Sequence, residues 1–236
     1  MNVLITREPE QSVSFINLLS KNRIYPFLVP LIEIIEIDSN LQDFSFDYII
    51  FTSSNAFKYF YKFLHKFNLS KVKIVSIGEK TSSYIKSFNM NIDYSPDDYS
   101  AEGIIKLFEK LSLKNKKILI PGSCKRNNFL ENKLTEMQNN ISILNTYNTK
   151  TVYYEKDYVN NFIIENNINI ITFFSPSAVL AFFEQANLEC SPVKIVTIGK
   201  TTGESVSKYN KKAYHPDKYT VQETVKLIKE IMMKEA

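Results

Sequence analysis

The chain has 236 residues, 44% hydrophobic and 23% charged, with a formal net charge of +4. It is long enough for one large or two small domains and too apolar to be a disordered chain. The mild positive charge favours anionic partners, but with no long basic run it does not argue for nucleic acid.

In chain order, Val3–Thr6 reads as a short buried strand, and Arg7-Glu8-Pro9 turns into a helix expected to bury Val13, Ile16 and Leu19. Ile24–Val29 is a second strand. Leu31–Ile37 alternates as a strand or extended linker, and 38–45 is loop-like. Asp47–Phe51 is a strand, and Thr52–Asn55 a turn of capping residues. The helix after it carries Phe57, Phe60 and Leu64 on its core face. Lys71–Ile77 is a strand followed by a helix to about Phe88, and Ser100–Leu111 is a further helix. Lys117–Ile120 is a strand, followed by a helix from about Arg126 to Met137. Ile141–Thr146 is a strand running into Tyr147-Asn148-Thr149-Lys150, with Thr151–Tyr154 as a second extended crossing. A helix near Val159–Glu165, a strand at Ile168–Phe174 and a helix opened by Ser175-Pro176 follow. Val193–Ile198 is a buried strand that leads through Gly199 into a helix bearing Thr201 and Thr202. Thr220-Val-Gln-Glu forms a capping box before a last helix. Strands alternating with helices indicate an α/β protein with parallel sheets.

The chain repeats itself. Val72–Ile85 (VKIVSIGEKTSSYI) matches Val193–Val206 (VKIVTIGKTTGESV) at an offset of about 120 residues. Phe51–Ala56 matches Phe173–Ala178, and Tyr94–Ser100 matches Tyr214–Thr220, in the same order. Val3-Leu4-Ile5 matches Ile118-Leu119-Ile120 more weakly. The period is too long for a solenoid, whose units run about 20–50 residues, and implies two related domains or half-domains.

Several chemistries are excluded. The five glycines build neither a dinucleotide nor a phosphate-loop fingerprint, and there is no GxSxG elbow. Cys124 and Cys190 read as free thiols. His65 and His215 stand alone, so no metal is expected, and without phosphate-loop glycines no nucleotide either. The N-terminus has no apolar signal region, and no apolar run approaches the ~18 residues of a membrane span; a cytoplasmic protein with no membrane contact is expected.

The chemistry concentrates in strand-end turns: Thr52-Ser53-Ser54-Asn55, Gly78–Thr81, Gly122-Ser123, Ser175-Pro176-Ser177 and Gly199–Thr202. In parallel sheets these turns gather at the carboxyl edge, where N–H groups, hydroxyls and helix dipoles seat carboxylates or phosphates. The candidate binding residues are therefore Ser53, Asn55, Thr81, Ser175, Ser177, Thr201 and Thr202. Lys125 and Arg126 could add charge, and Cys124 reads as incidental. A duplicated set of such turns suits a large, multiply anionic ligand.

The set TSSNAF, VSIGEKT, PDDYSAEGI, NTYNT, FFSPSAV, VTIGKTT and PDKYTVQETV resembles the uroporphyrinogen-III synthase family across nearly the whole chain, in the family's order. The resemblance implies two similar flavodoxin- or Rossmann-like parallel-sheet domains joined by a two-stranded linker. One is discontinuous, 1–34 with 152–236, and the other, 35–151, is inserted. It implies a cofactor-free lyase in haem biosynthesis that cyclises the linear tetrapyrrole hydroxymethylbilane with inversion of the terminal ring and loss of water. It also implies a monomer. Tyr147 then matches the interdomain tyrosine that helps the hydroxyl leave, and Thr81, Thr202, Ser53 and Ser175 match turn residues that meet substrate. Lys194 matches a basic residue of the family's strand. The family often has Arg-Gly in place of Pro121-Gly122 and Glu in place of Asn127, which leaves Arg126 without an assigned role. The alternative is a two-domain module that binds a polyanionic small molecule without catalysis.

Overall fold

The computed structural model describes residues 1–188 and 192–234. Cys190, expected as a free thiol, lies outside the described residues; Cys124 is free and exposed. The elements in order are β1 (Asn2–Ile5), α1 (Pro9–Lys21), β2 (Tyr25–Leu28), β3 (Ile32–Glu36), β4 (Tyr48–Phe51) and α2 (Ser54–Phe60). After them come β5 (Lys73–Ser76), α3 (Glu79–Lys86), α4 (Ala101–Lys110), β6 (Lys117–Ser123), α5 (Phe129–Glu136) and β7 (Asn140–Thr151). The chain ends with α6 (Tyr158–Glu165), β8 (Ile170–Phe173), α7 (Pro176–Phe183), β9 (Lys194–Thr197), α8 (Lys200–Ser207), β10 (Ala213–Tyr214) and α9 (Val221–Met233).

These elements form two compact units, Met1–Ile34 with Thr149–Ala236, and Ile35–Asn148. The first unit holds a parallel sheet in the order β10-β9-β8-β1-β2. Helices α1 and α9 cover one face, burying Phe15, Leu19, Val225, Ile228 and Ile231 over Val3, Ile5 and Ile170. Helices α6, α7 and α8 cover the other, over Leu4, Ile171 and Phe173. Strands dry on both faces must be apolar throughout, and β8, with four buried residues, is so.

The second unit's sheet runs β3-β7-β6-β4-β5. Its β4, β5, β6 and β7 are parallel. Helices α2 and α3 pack on one face through Phe57, Phe60 and Ile85. Helices α4 and α5 pack on the other through Ile104, Phe108 and Leu134. Set side by side, β9-β8-β1-β2 and β5-β4-β6-β7 have one topology, and an isolated bridge from Val75 to Tyr94 stands where β10 stands in the first unit.

Several local expectations are corrected. Helix α1 turns Ser12, Phe15 and Leu19 inward and leaves Val13 56% exposed, since the helix rotates to bury its phenylalanine. Helix α2 tightens into a 3-10 turn over Tyr61–Lys66. Strand β6 runs on through Pro121-Gly122-Ser123, and α5 begins at Phe129 instead of near Arg126. Residues 140–151 form one long strand where two crossings were expected.

The glycines of the two matching turns serve different needs. Gly78 has φ +84° and ψ 149°, a conformation essentially reserved for glycine. Gly199 has extended backbone, but a Cβ there would come within 2.8 Å of the Tyr219 ring. Gly78→Ala is therefore expected to cost about 1–3 kcal/mol through backbone strain, whether or not Tyr99 is present. Gly199→Ala is expected to be destabilising only while Tyr219 is there. Urea unfolding of the single and double variants checks this, and additivity of Gly199→Ala with Tyr219→Ala would contradict it.

Candidate functional site

Parallel strands deliver the polar turns of each sheet to one edge. In the first unit, Ser175 caps α7, accepting from Ala178 N–H at 3.3 Å, and its hydroxyl pairs with that of Ser177 at 2.9 Å. The next strand, β9, ends at the Gly199 turn, held by Thr197 Oγ1 donating to Gly199 O at 3.1 Å. No side chain caps α8, so its first N–H groups remain available as donors. Thr201 is exposed there and Thr202 is buried. Among the described residues the Thr202 hydroxyl has no hydrogen-bond partner. Ser175, Ser177, Thr201 and Thr202 thus follow adjacent strands, roughly 5 Å apart in the hydrogen-bonding direction.

Lys194 is not brought to this edge. It is the first residue of β9, paired with the first residue of β8, at the amino end of the sheet. Three strand steps, roughly 10 Å, separate it from Thr197.

In the second unit, Ser53 caps α2 by accepting from Ala56 N–H at 3.1 Å. Asn55 follows in the first turn, half-buried. Thr81 sits in the first turn of α3, which begins at Gly78 with no side-chain cap. Tyr147 stands late in β7, level with Ser123 of β6. Its phenol oxygen lies 3.4 Å from Ser53 Oγ, and its ring packs 5.4 Å from that of Tyr59. It is 9% exposed. Burial pushes the Tyr147 phenol above its ordinary range, against the opposing pulls of Ser53 and the Arg126 charge. The phenol is therefore neutral at physiological pH. If Ser53 donates to it, its own proton is left for another acceptor.

Arg126 has a definite place. Its Nη1 donates to Ser123 O and to Asn145 Oδ1, both at 2.8 Å, and its Nε donates to Glu131. Glu131 is 9% exposed and supplies the carboxylate that Asn127 does not. Its i+5 spacing from Arg126 is no helical register, because the chain between them is a turn; spacing alone gave no signal. Cys124 bonds Asn148 through its thiol, and Lys125 is exposed. Arg7, which no motif marks in the sequence, lies with its guanidinium over Phe174, next to the Ser175 turn. The available signal was an arginine directly after a buried strand.

Among the described residues no group of three or more His, Cys, Asp or Glu side chains could hold a metal, and no helix is long and apolar enough to cross a membrane.

A family model described as uroporphyrinogen-III synthase HemD matches residues 14–226. A Methanocaldococcus jannaschii protein, named provisionally as a uroporphyrinogen-III synthase, is 30% identical over 97% of this chain and 98% of its own. Two crystal structures share the fold. The Helicobacter pylori uroporphyrinogen-III synthetase has a TM-score of 0.69 at 17% identity, over 98% of this chain and 99% of its own. A mutant uroporphyrinogen III synthase from Thermus thermophilus has 0.67 at 15% identity, over 99% of each chain.

Breaking the Arg126–Glu131 pair leaves a largely buried guanidinium uncompensated. Glu131→Ala is expected to cost about 3 kcal/mol of unfolding free energy. Glu131→Gln, which keeps an acceptor, is expected to cost less. Thermal or urea unfolding of the two variants checks the order, and equal losses would contradict it.

Proposed function

The chain belongs to the uroporphyrinogen-III synthase family, and we propose that the strand-end turns of each unit hold the carboxylates of its linear tetrapyrrole substrate while Tyr147 helps the substrate hydroxyl to leave. The family is a group of cyclising lyases in porphyrin biosynthesis. Hydroxymethylbilane closes to uroporphyrinogen III with its terminal ring inverted, and one water is released.

The observation that carries the binding proposal is the row of turns at each carboxyl edge. The substrate bears eight carboxylates. Each turn offers backbone N–H donors, a hydroxyl and the positive end of a helix dipole. Ser175, Ser177, Thr201 and Thr202 serve in one unit, Ser53, Asn55 and Thr81 in the other.

The chemistry asks for little more than positioning. The lone pair of the pyrrole nitrogen expels the hydroxyl as water once a proton is supplied, leaving an azafulvene. The substituted carbon of the terminal ring attacks that electrophilic carbon and gives a spiro intermediate, which reopens and recloses with the ring turned over. A final proton loss restores the aromatic pyrrole. Holding the chain so that this carbon attacks first is an orientation effect. Tyr147 supplies a hydrogen bond to the departing oxygen from a phenol that carries no charge. Ser53 keeps the phenol in place, and Arg126, paired with Glu131, pulls weakly against the effect of burial on it.

Isomer analysis tests the reaction. Supplied with hydroxymethylbilane, the protein is expected to give the type III ring after oxidation and separation of the products. The spontaneous type I ring alone would defeat the proposal.

Tyr147→Phe keeps the ring and removes the hydroxyl. Turnover is expected to fall by roughly tenfold to a few hundredfold, the lower part of the range for general-acid help. Melting temperature and product affinity should stay nearly unchanged. Near-wild-type turnover would remove Tyr147 from the mechanism, and a parallel fall in melting temperature would make it structural. Because burial raises the phenol, kcat should show no alkaline limb from Tyr147 below about pH 10.

A further inference from the structure

In the first unit, β1 and β8 are neighbours whose following helices leave for opposite faces, α1 to one and α7 to the other. The carboxyl ends of two such strands border a crevice, the place where open parallel sheets hold ligands. Arg7 stands there, two residues past β1. Its guanidinium lies 4.5 Å from the ring centroid of Phe174, the residue before Ser175. Arg7 is 8% exposed. One nitrogen, Nη2, donates to Gln11 Oε1, while Nε is buried with no acceptor. Among the described residues the charge acting on it is Glu8, which Gln11 bridges to it by donating its amide to the Glu8 carboxylate. Burial draws the guanidinium down to about 10, so it remains a cation at neutral pH.

The second unit has the equivalent crevice between β4 and β6, bordered by the Ser53 turn and Ser123. There Arg126 is met directly by Glu131, Asn145 and Ser123. Arg126 is thus met directly by a carboxylate of its own unit, whereas among the described residues Arg7 contacts none and feels Glu8 only at a distance. A buried cation with an unused donor is disfavoured unless an anion completes it.

We infer that Arg7 is a carboxylate-binding residue of the first unit, donating its free Nε–H and an Nη–H to a substrate carboxylate seated between the start of α1 and the Ser175 turn. Phe174 holds the guanidinium plane, and the Ser175 and Ser177 hydroxyls flank the anion. The inference rests on the synthase reading given above for the identity of the anion.

The test is steady-state kinetics with hydroxymethylbilane, isomer analysis and thermal melts for the wild type, Arg7→Gln and Arg7→Lys. A charge-assisted hydrogen bond sets the scale, so Arg7→Gln is expected to raise KM by about tenfold to a hundredfold with kcat little changed. Its melting temperature should not fall, because an incompletely paired buried charge has been removed. Arg7→Lys keeps the charge but loses the planar fork, and should recover part of the KM. An unchanged KM in Arg7→Gln, with type III product from the wild type, overturns the inference and leaves the synthase reading standing. So does a fall in melting temperature that tracks the activity in both variants. If the wild type yields only the type I ring, the synthase reading fails. Fluorescence titration with uroporphyrin, an octacarboxylate, then decides on Arg7 alone: weaker binding by Arg7→Gln supports the site, and equal binding removes it.

Discussion

The discontinuous unit is closed by the parallel pairing of β1 with β8, two strands brought together from far apart in the chain. Two fully buried threonines lock that joint. Thr6 Oγ1 donates to Thr172 O at 2.8 Å, and Thr172 Oγ1 donates to Leu4 O at 2.9 Å. Each hydroxyl satisfies itself on the neighbouring strand's backbone, so neither leaves an unpaired polar group in the core. The register they hold places Val3 beside Ile170 and Ile5 beside Thr172. Arg7 and Phe174 follow from it, because each lies two residues or fewer beyond those pairs. A slip of one residue would turn the side chains of β1 to the wrong faces and carry Arg7 away from the Ser175 turn.

Because the paired strands of each core sheet run one way, their helices begin at one edge. Both faces of the central strands β4 and β8 are dry, so that edge is where donors can meet a ligand. This is why the same few residue types recur in the turns. Ser53 and Ser175 cap helices with matching geometry, and the IG turns open α3 and α8 without a cap. The proposed anion seats rest on this architecture, which occurs twice.

Much of this was legible in the sequence because it rests on local pattern. Ser175-Pro176 announces a helix start and VKIVTIG a buried strand with its turn, and both stand in the structure. Of the expected capping box, Thr220 caps α9 by accepting from Glu223 N–H, while its own N–H donates to Lys218 O and not to the Glu223 side chain. The repeat pairs the segment from β1 to α4 with that from β6 to α9. The compact units instead combine β1-α1-β2 with α6 and everything after it, and β4 to α4 with β6-α5-β7. Which strands pair across such distances is a matter of whole-core packing, and no window of residues carries it. The same holds at smaller scale. β10 has two residues and exists only because β9 offers an edge, and Val13 lost the inward position to Phe15. Lys194 matches a basic residue of the family's strand, but strand direction puts it at the far edge. Arg7 looked like an ordinary polar turn residue, since burial and an empty donor are invisible until β8 lies beside β1. Glu131 finds Arg126 only across a turn whose path the sequence does not specify.

The central claim is that strand-end turns, and not some other surface, hold the carboxylates. Amide hydrogen exchange of the whole protein, with and without the octacarboxylate product, measures this most directly. The account predicts slowed exchange at the first-turn N–H groups after Ser53, Gly78, Ser175 and Gly199, in both units. Protection confined elsewhere, for example to the apolar groove between α1 and α9 lined by Leu18, Val225 and Met233, would contradict it.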